Sequence, residues 1–270
     1  MLIWRREKRK QMKFEHTRTM NWEGALRGMR NPLNSWHKSD SHFGICNVIE
    51  PAEFEQNSDN KQQGYLAKYP DNPAYIVYLS YPYAEYVSIG KEDMGLAQRL
   101  ILSGSEHRKF MRQIFVCVDI TAPLYWWKEF DTYKVATVRN SCSTMHKIHS
   151  KPFSEDDFAH DAVDEVDIVI SEQFDNTLTT LEYLRNRFNE TKNKKYWKAL
   201  IQMLPDGYEM KATLTFNYET LLGMCSNGQR RKHKLNEWSG KDNPNVPNFI
   251  AWARTLPYAQ EFIFIDEIVK

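Results

Sequence analysis

The sequence predicts an α+β fold, with helices packed on a sheet. Three observations carry this. Leu178, Leu181, Leu184 and Phe188 recur at helical spacing within 171–188, and 194–204 continues in the same manner. The stretches 75–89 and 110–120 are rich in aromatic and β-branched residues, which favour strands. Between and after them, a helix at 91–103, the strand at 110–120 and a helix opening at Pro123 follow one another, the order of a sheet with helices laid against it.

Composition narrows the function classes. The chain has 270 residues, 41% hydrophobic and 13% aromatic, enough for one large core or two small ones. Eight Trp and fourteen Tyr argue against disorder. A formal net charge of +1 gives no overall field toward nucleic acid or an anionic membrane, so neither is an expected partner. Cys46, Cys117, Cys142 and Cys225 are scattered without a CxxC pair, so no metal site of the usual zinc spacing is expected. No signal-like h-region opens the chain and no apolar run approaches a bilayer span. The expectation is a cytoplasmic protein with reduced thiols.

Taken in order, residues 1–13 form a basic arm through Arg5, Arg6, Lys8, Arg9, Lys10 and Lys13, able to touch phosphate or to stand as a solvated tail. Residues 14–270 read as one domain. A short helix at 22–29 enters a loop punctuated by Pro32 and Asn34. Residues 50–73 read as a polar surface loop. In 75–89, Pro82 predicts two strands or one edge strand, not a central one. Glu92 and Asp93 open the 91–103 helix, where the helix dipole favours carboxylates, and Gly104 closes it.

The stretch 122–146 organises the rest. Pro123 suits a first helical position, and Leu124, Trp127, Phe130 and Val135 give one apolar face. After Val138, R-N-S-C-S is dense in small hydrogen-bonding side chains that favour turns. That makes either an ordinary polar helix end or an anion-binding corner with Arg139. Seven carboxylates in 151–168 read as a solvated surface, because they lack a calcium-loop pattern. Pro205-Asp206-Gly207 marks a turn. Helices are expected at 214–224, 249–254 and 259–269, with a basic run at 229–234 and a Gly/Asn/Pro loop at 239–248.

Several of these segments together resemble the flavin-dependent thymidylate synthases. That family carries RHRxxSxNExSxRY after F-x-V-x-A-P-x-F-x-x-R-Q-W. Here Val118, Ala122, Pro123 and Tyr125 follow the approach, and Lys128-Glu129-Phe130 stands at R-Q-W. Thr132-Tyr133-Lys134 stands at R-H-R, Thr137 at the first serine, and Asn140 and Ser143 meet the N and S of NExS with one residue inserted. Glu106-His107 before Phe110 resembles the family's E-H-x-x-F, Leu204-Pro205 its L-P turn, Asn217 its flavin-contacting asparagine and Arg230 its nucleotide-phosphate arginine. The likeness covers roughly 90–238.

The departures mark a diverged branch of phage or bacterial type. Of R-H-R only a cation at Lys134 is kept, Ser141 stands at the acidic position of NExS, and Met145-His146 replaces R-Y.

The resemblance implies a central, mostly antiparallel sheet packed with helices and a homotetramer. It implies FAD-assisted one-carbon transfer to dUMP or a related pyrimidine nucleotide, with NADPH and methylene-tetrahydrofolate as co-reactants. The flavin carries the electrons, so the protein chiefly binds and orients. Cofactor-binding candidates are His107, Lys134, Asn140 and Asn217. Substrate-binding candidates are Glu129, Arg139, Ser141, Ser143, Arg230 and Arg231, since arginines grip phosphates bidentately. Glu129 would repel a phosphate. For 230–234 a solvated helix end weighs equally with a phosphate site, and for Asn217 a backbone-capping amide is the competing role. A catalytically inactive nucleotide-binding or structural protein on the same fold is the alternative.

Overall fold

The structure is a computed structural model and describes residues 12–47, 66–69, 72–80, 83–133, 135–244 and 246–269. Most of the basic arm, and most of the loop expected at 50–73, lie outside them. Met12 is buried, and Lys13 already belongs to the first strand, β1 (Lys13–Met20).

Among the described residues, two four-stranded sheets organise the fold. The first has the order β1, β6 (Phe115–Pro123), β8 (Glu209–Asn217) and β7 (Val138–Ser141). The second has the order β2 (His42–Asn47), β5 (Tyr83–Ser88), β4 (Asn72–Ser80) and β3 (Leu66–Tyr69), antiparallel throughout, with a bulge between Ile76 and Tyr78. The helices are α1 (Trp22–Arg30), α2 (Lys91–Leu102), α3 (Leu124–Phe130), α4 (Asp161–Val166), α5 (Ile168–Thr191), α6 (Lys194–Met203), α7 (Tyr218–Cys225), α8 (Asn227–Lys232), α9 (Asn236–Ser239), α10 (Phe249–Arg254) and α11 (Ala259–Phe262).

The α+β expectation holds, and six details change. The 75–89 stretch gives two strands, but both lie inside their sheet with neighbours on either side. Residues 108–113 form a 3-10 turn, so the strand expected at 110–120 starts at Phe115 and runs on to Pro123. Pro123 is extended at ψ 153°, and α3 begins only after it. The polar run at 139–143 is not a helix end, because 138–141 pairs as β7 and the Cys142 N–H donates to the Lys211 carbonyl. Residues 214–217 belong to β8, not to a helix, and the closing helix at 259–269 breaks after Phe262 into a 3-10 turn at 265–267.

The chain divides into two compact units. Unit 1 contains residues 1–12, 121–132 and 140–212; unit 2 contains 13–120, 133–139 and 213–270.

In unit 1, α5 and α6 close over a core of Ile148, Phe158, Leu181, Leu184 and Leu200. The 205–207 turn starts α3: the Leu124 and Tyr125 N–H groups donate to the Tyr208 and Asp206 carbonyls, at 3.0 and 3.1 Å. This satisfies donors that a helix start leaves without partners. Lys128 adds an ion pair to Asp206 at 2.5 Å. Gly207 is required there, since a Cβ would lie 2.6 Å from the Ala159 carbonyl oxygen. Trp126, Trp127 and Phe130 are buried together, and Trp127 Nε1 donates to both the Ala122 and Met210 carbonyls at 3.0 Å.

In unit 2, alternation buries Val116, Val118 and Ile120 of β6 and Leu214 and Phe216 of β8. Aromatic rings complete this core: Trp22 meets Tyr218 edge-on at 5.1 Å, and Phe216 meets Trp252 at 6.0 Å. A buried ion pair joins α1 to α2. Arg30 Nε donates to Asp93 Oδ1 at 2.5 Å, and both side chains are almost fully enclosed. Asp93 Oδ2 also accepts from the Ser39 and Ser41 hydroxyls at 2.6 Å each. Asp40 caps α2 by accepting from the Glu92 and Asp93 N–H groups.

Candidate functional site

The loop between α3 and β7 is the natural starting point, since the thymidylate-synthase-like motif falls there. Its 133–139 stretch belongs to unit 2. Ala136 takes a left-handed conformation at φ 60°, which turns the chain before β7. The ring of Tyr133 lies 5.5 Å from Trp238 and 6.0 Å from His233, and its hydroxyl is 3.4 Å from Gln229 Oε1. Two residues on, the Val135 carbonyl accepts from the Thr220 hydroxyl at 3.5 Å. Thr220 also donates its N–H to Asn217 Oδ1 at 3.0 Å, and that oxygen lies 3.2 Å from the same hydroxyl, which the two acceptors share. The loop, the start of α7 and the 229–238 segment therefore converge. These are three of the places singled out in the sequence, and the structure brings them together within one unit.

The individual candidates differ in how they are used. Asn217 is buried and its side-chain oxygen is the N-cap of α7, the backbone-capping role weighed above. Asn217→Ala is expected to cost about 1 kcal/mol of stability in urea unfolding, with Asn217→Ser recovering most of it. An equal loss in both variants would show that the amide does more than cap.

His107 is exposed in the turn after α2, where Gly104 adopts φ 106°. Behind it, Arg108 and Arg112 both bind Glu219 of α7, Arg108 at 3.0 Å. Burial works against that carboxylate, yet the hydrogen bonds from Arg112 and Arg108 hold it below its usual range. This clamp ties the E-H-x-x-F step to the start of α7. Sequence reading missed it, because no spacing rule links residues over a hundred positions apart.

Arg230, in α8, is not open to a ligand as it stands. Its guanidinium donates to the Cys225 carbonyl and to both oxygens of Asp266 at 3.2 Å, and lies 3.1 Å from Glu267. Cys225 is buried and its thiol is pushed up by that burial, so it supplies no thiolate. Arg139 is half-buried in β7. The backbone of Arg231 lies in α8, while its side chain and Lys134 lie outside the described residues.

In unit 1, Asn140 and Ser141 are exposed on β7, and Glu129 is half-buried in α3. Ser143 Oγ accepts from the Met145 and His146 N–H groups at 3.2 and 2.8 Å, so this hydroxyl stabilises its own turn. Among the described residues, no group of three or more His, Cys, Asp or Glu is placed to hold a metal ion, and no helix is long and apolar enough to cross a membrane.

The donor set suits a phosphate-bearing ligand only in part. Around the loop the Tyr133 and Thr220 hydroxyls can donate, but the best anion-binding group, the Arg230 guanidinium, is already bound to carboxylates.

No protein-family model matches this sequence, and no curated protein matches it. Solved structures do. A crystal structure of thymidylate synthase X (ThyX) from Helicobacter pylori with FAD and dUMP superposes with a TM-score of 0.54 at 14% identity, covering 96% of this chain and 99% of that one. A second structure of the flavin-dependent enzyme from Helicobacter pylori, complexed with FAD and dUMP, gives 0.53 at 14% identity, covering 95% and 99%. The chain thus carries, over nearly its whole length, the fold of the flavin-dependent thymidylate synthases.

Proposed function

We propose that this protein binds FAD and a pyrimidine nucleotide and performs FAD-assisted one-carbon transfer to dUMP or a related pyrimidine nucleotide. The reading takes NADPH and methylene-tetrahydrofolate as co-reactants and a homotetramer in the cytoplasm as the working form. The observation that carries it is the convergence of the 133–139 loop, Asn217 and the 229–238 segment on a fold that matches an FAD- and dUMP-bound enzyme across both chains. The bound flavin would supply the electrons. Asn217 and Thr220 set the start of α7, and Tyr133 packs against the 229–238 segment, so this chain's own contribution is to shape and orient the site.

A second reading has its own support. A catalytically inactive nucleotide-binding or structural protein on this fold is favoured by the commitment of Arg230 to Asp266 and Glu267.

The absorption spectrum separates the two. Purified protein mixed with FAD and passed through a sizing column is expected to carry a flavin spectrum at the tetramer position, and the bound reduced flavin, with methylene-tetrahydrofolate present as the one-carbon donor, is expected to reoxidise at a dUMP-dependent rate. A colourless protein after the column would sink the flavin reading. Bound flavin with no dUMP dependence would favour the inactive alternative.

A further inference from the structure

Asp266 and Glu267 occupy the guanidinium groups of Arg230 and Arg254. Asp266 spans both oxygens to Arg230 at 3.2 Å and accepts from the Asn227 N–H at 2.6 Å. Glu267 takes two hydrogen bonds from Arg254, at 2.9 and 2.7 Å, a third from Gln260 at 3.4 Å, and lies 3.1 Å from Arg230. The Phe264 ring lies beneath both guanidinium groups, 4.0 Å from Arg254 Cζ and 5.4 Å from Arg230 Cζ. Both cations reach Glu267 Oε1, at 3.1 and 2.7 Å, so their N–H groups converge on one position of the kind that binds an oxygen of a phosphate or a carboxylate.

The arrangement is open to exchange. Side-chain exposure is 16% for Arg230, 39% for Arg254, 30% for Asp266 and 33% for Glu267, so solvent reaches every member. Phe264 and Ile265 are buried, which anchors the cations' platform, whereas Ile268 and Val269 are exposed. The two carboxylates can therefore leave together when the 3-10 turn at 265–267 opens, with Phe264 held in the core.

We propose that Arg230 and Arg254 form a phosphate-monoester site held closed by the tethered carboxylates of Asp266 and Glu267, which an incoming phosphate group displaces. This rests on the nucleotide reading above and adds its regulation: the site opens only to a ligand that outcompetes two carboxylates. A phosphate monoester carries close to two charges at neutral pH and three oxygens, against one charge on each carboxylate. The tether favours the carboxylates by keeping them at an effective concentration in the millimolar range or above.

The test is calorimetric titration of inorganic phosphate, and separately of dUMP, into the full chain and into Asp266→Asn/Glu267→Gln. Removing the two charges while keeping the side-chain shapes is expected to tighten phosphate binding by roughly tenfold or more, as loss of a tethered competitor does. Adding Arg230→Ala to that variant is expected to abolish the gain. Equal phosphate affinity with and without the carboxylates, in protein that melts cooperatively, would overturn the proposal.

A second measurement needs no variant. Saturating phosphate added to the unaltered protein is expected to speed hydrogen exchange at the Glu267, Ile268 and Val269 amides, which bond to the Phe264 and Ile265 carbonyls. No change at saturation would likewise count against displacement. If dUMP binds the unaltered protein well and the carboxylate variant changes nothing, this proposal fails while the nucleotide reading stands. If phosphate binding tightens and dUMP shows no advantage over phosphate, the site stands and the nucleotide reading fails.

Discussion

Asp93→Ala is expected to destabilise the fold by about 3–5 kcal/mol, the range for stripping one partner from a buried ion pair. The loss comes mainly from what is left behind. Arg30 would keep its charge in an almost fully enclosed site, where among the described residues the Ser35 carbonyl, at 3.3 Å, is its remaining hydrogen-bond acceptor. The Ser39 and Ser41 hydroxyls would also lose their common acceptor. The double variant Arg30→Met/Asp93→Leu is expected to recover much of the loss, because apolar side chains of similar size carry no desolvation penalty. Urea unfolding of the three proteins measures this, and a single variant within 1 kcal/mol of the parent would refute the uncompensated-charge account.

The same pair sets a response to acid. Burial pushes Asp93 up, but hydrogen bonds from Ser39, Ser41 and Arg30, with the Arg30 charge, hold it below its usual 3.8. A carboxyl whose folded value is depressed binds protons more readily when unfolded. Its contribution is therefore complete above the unfolded value and is lost as pH falls below it toward the folded value. The parent protein should lose stability below pH 3.8, and the Asp93→Ala variant should lack that component.

Trp127→Ala is the second large effect, again about 3–5 kcal/mol, as expected for emptying a buried aromatic site. Trp127 is sandwiched in unit 1 with Trp126 edge-on at 4.9 Å and Phe130 at 5.6 Å. Its indole N–H serves two carbonyls, so truncation leaves both a cavity and two under-satisfied acceptors. Trp127→Phe keeps most of the volume and is expected to lose only part of this. If phenylalanine and alanine proved equally costly, the hydrogen bonds and not the packing would dominate. Thermal melts of the two variants decide it.

The sequence made the long helices legible because α5 and α6 repeat their apolar residues over several turns. It failed at β8 for an identifiable reason. Leu214, Tyr218, Leu221, Leu222 and Cys225 also fall at helical spacing, so the run 214–224 reads as one helix. The arbiter was Asn217: its side chain starts a new helix by capping Thr220, and the alternation of Met210, Ala212, Leu214 and Phe216 before it belongs to a strand. Similarly, the small polar residues at 139–141 fit a turn by composition, and only pairing in the sheet makes them β7.

The candidate site was legible as a set of places but not as a set of bonds. Lys134 and the side chain of Arg231 lie outside the described residues, and Ser143 serves its own turn. The first of the carboxylates that occupy Arg230, Asp266, lies 36 residues further along the chain, and no local pattern could pair them.

The division of unit 2 into separate stretches bears on how the protein is made. Trp252 reaches back to Thr17 across 235 positions, and the Ile89 N–H finds the Tyr258 hydroxyl across 169. Most of this core cannot close until the α10–α11 region has left the ribosome. At synthesis rates of roughly 5–20 residues per second, that leaves the apolar faces of α1 and β6 uncovered for on the order of 10 s. The nascent chain therefore carries these uncovered apolar faces through much of its synthesis, until α10 and α11 emerge to cover them.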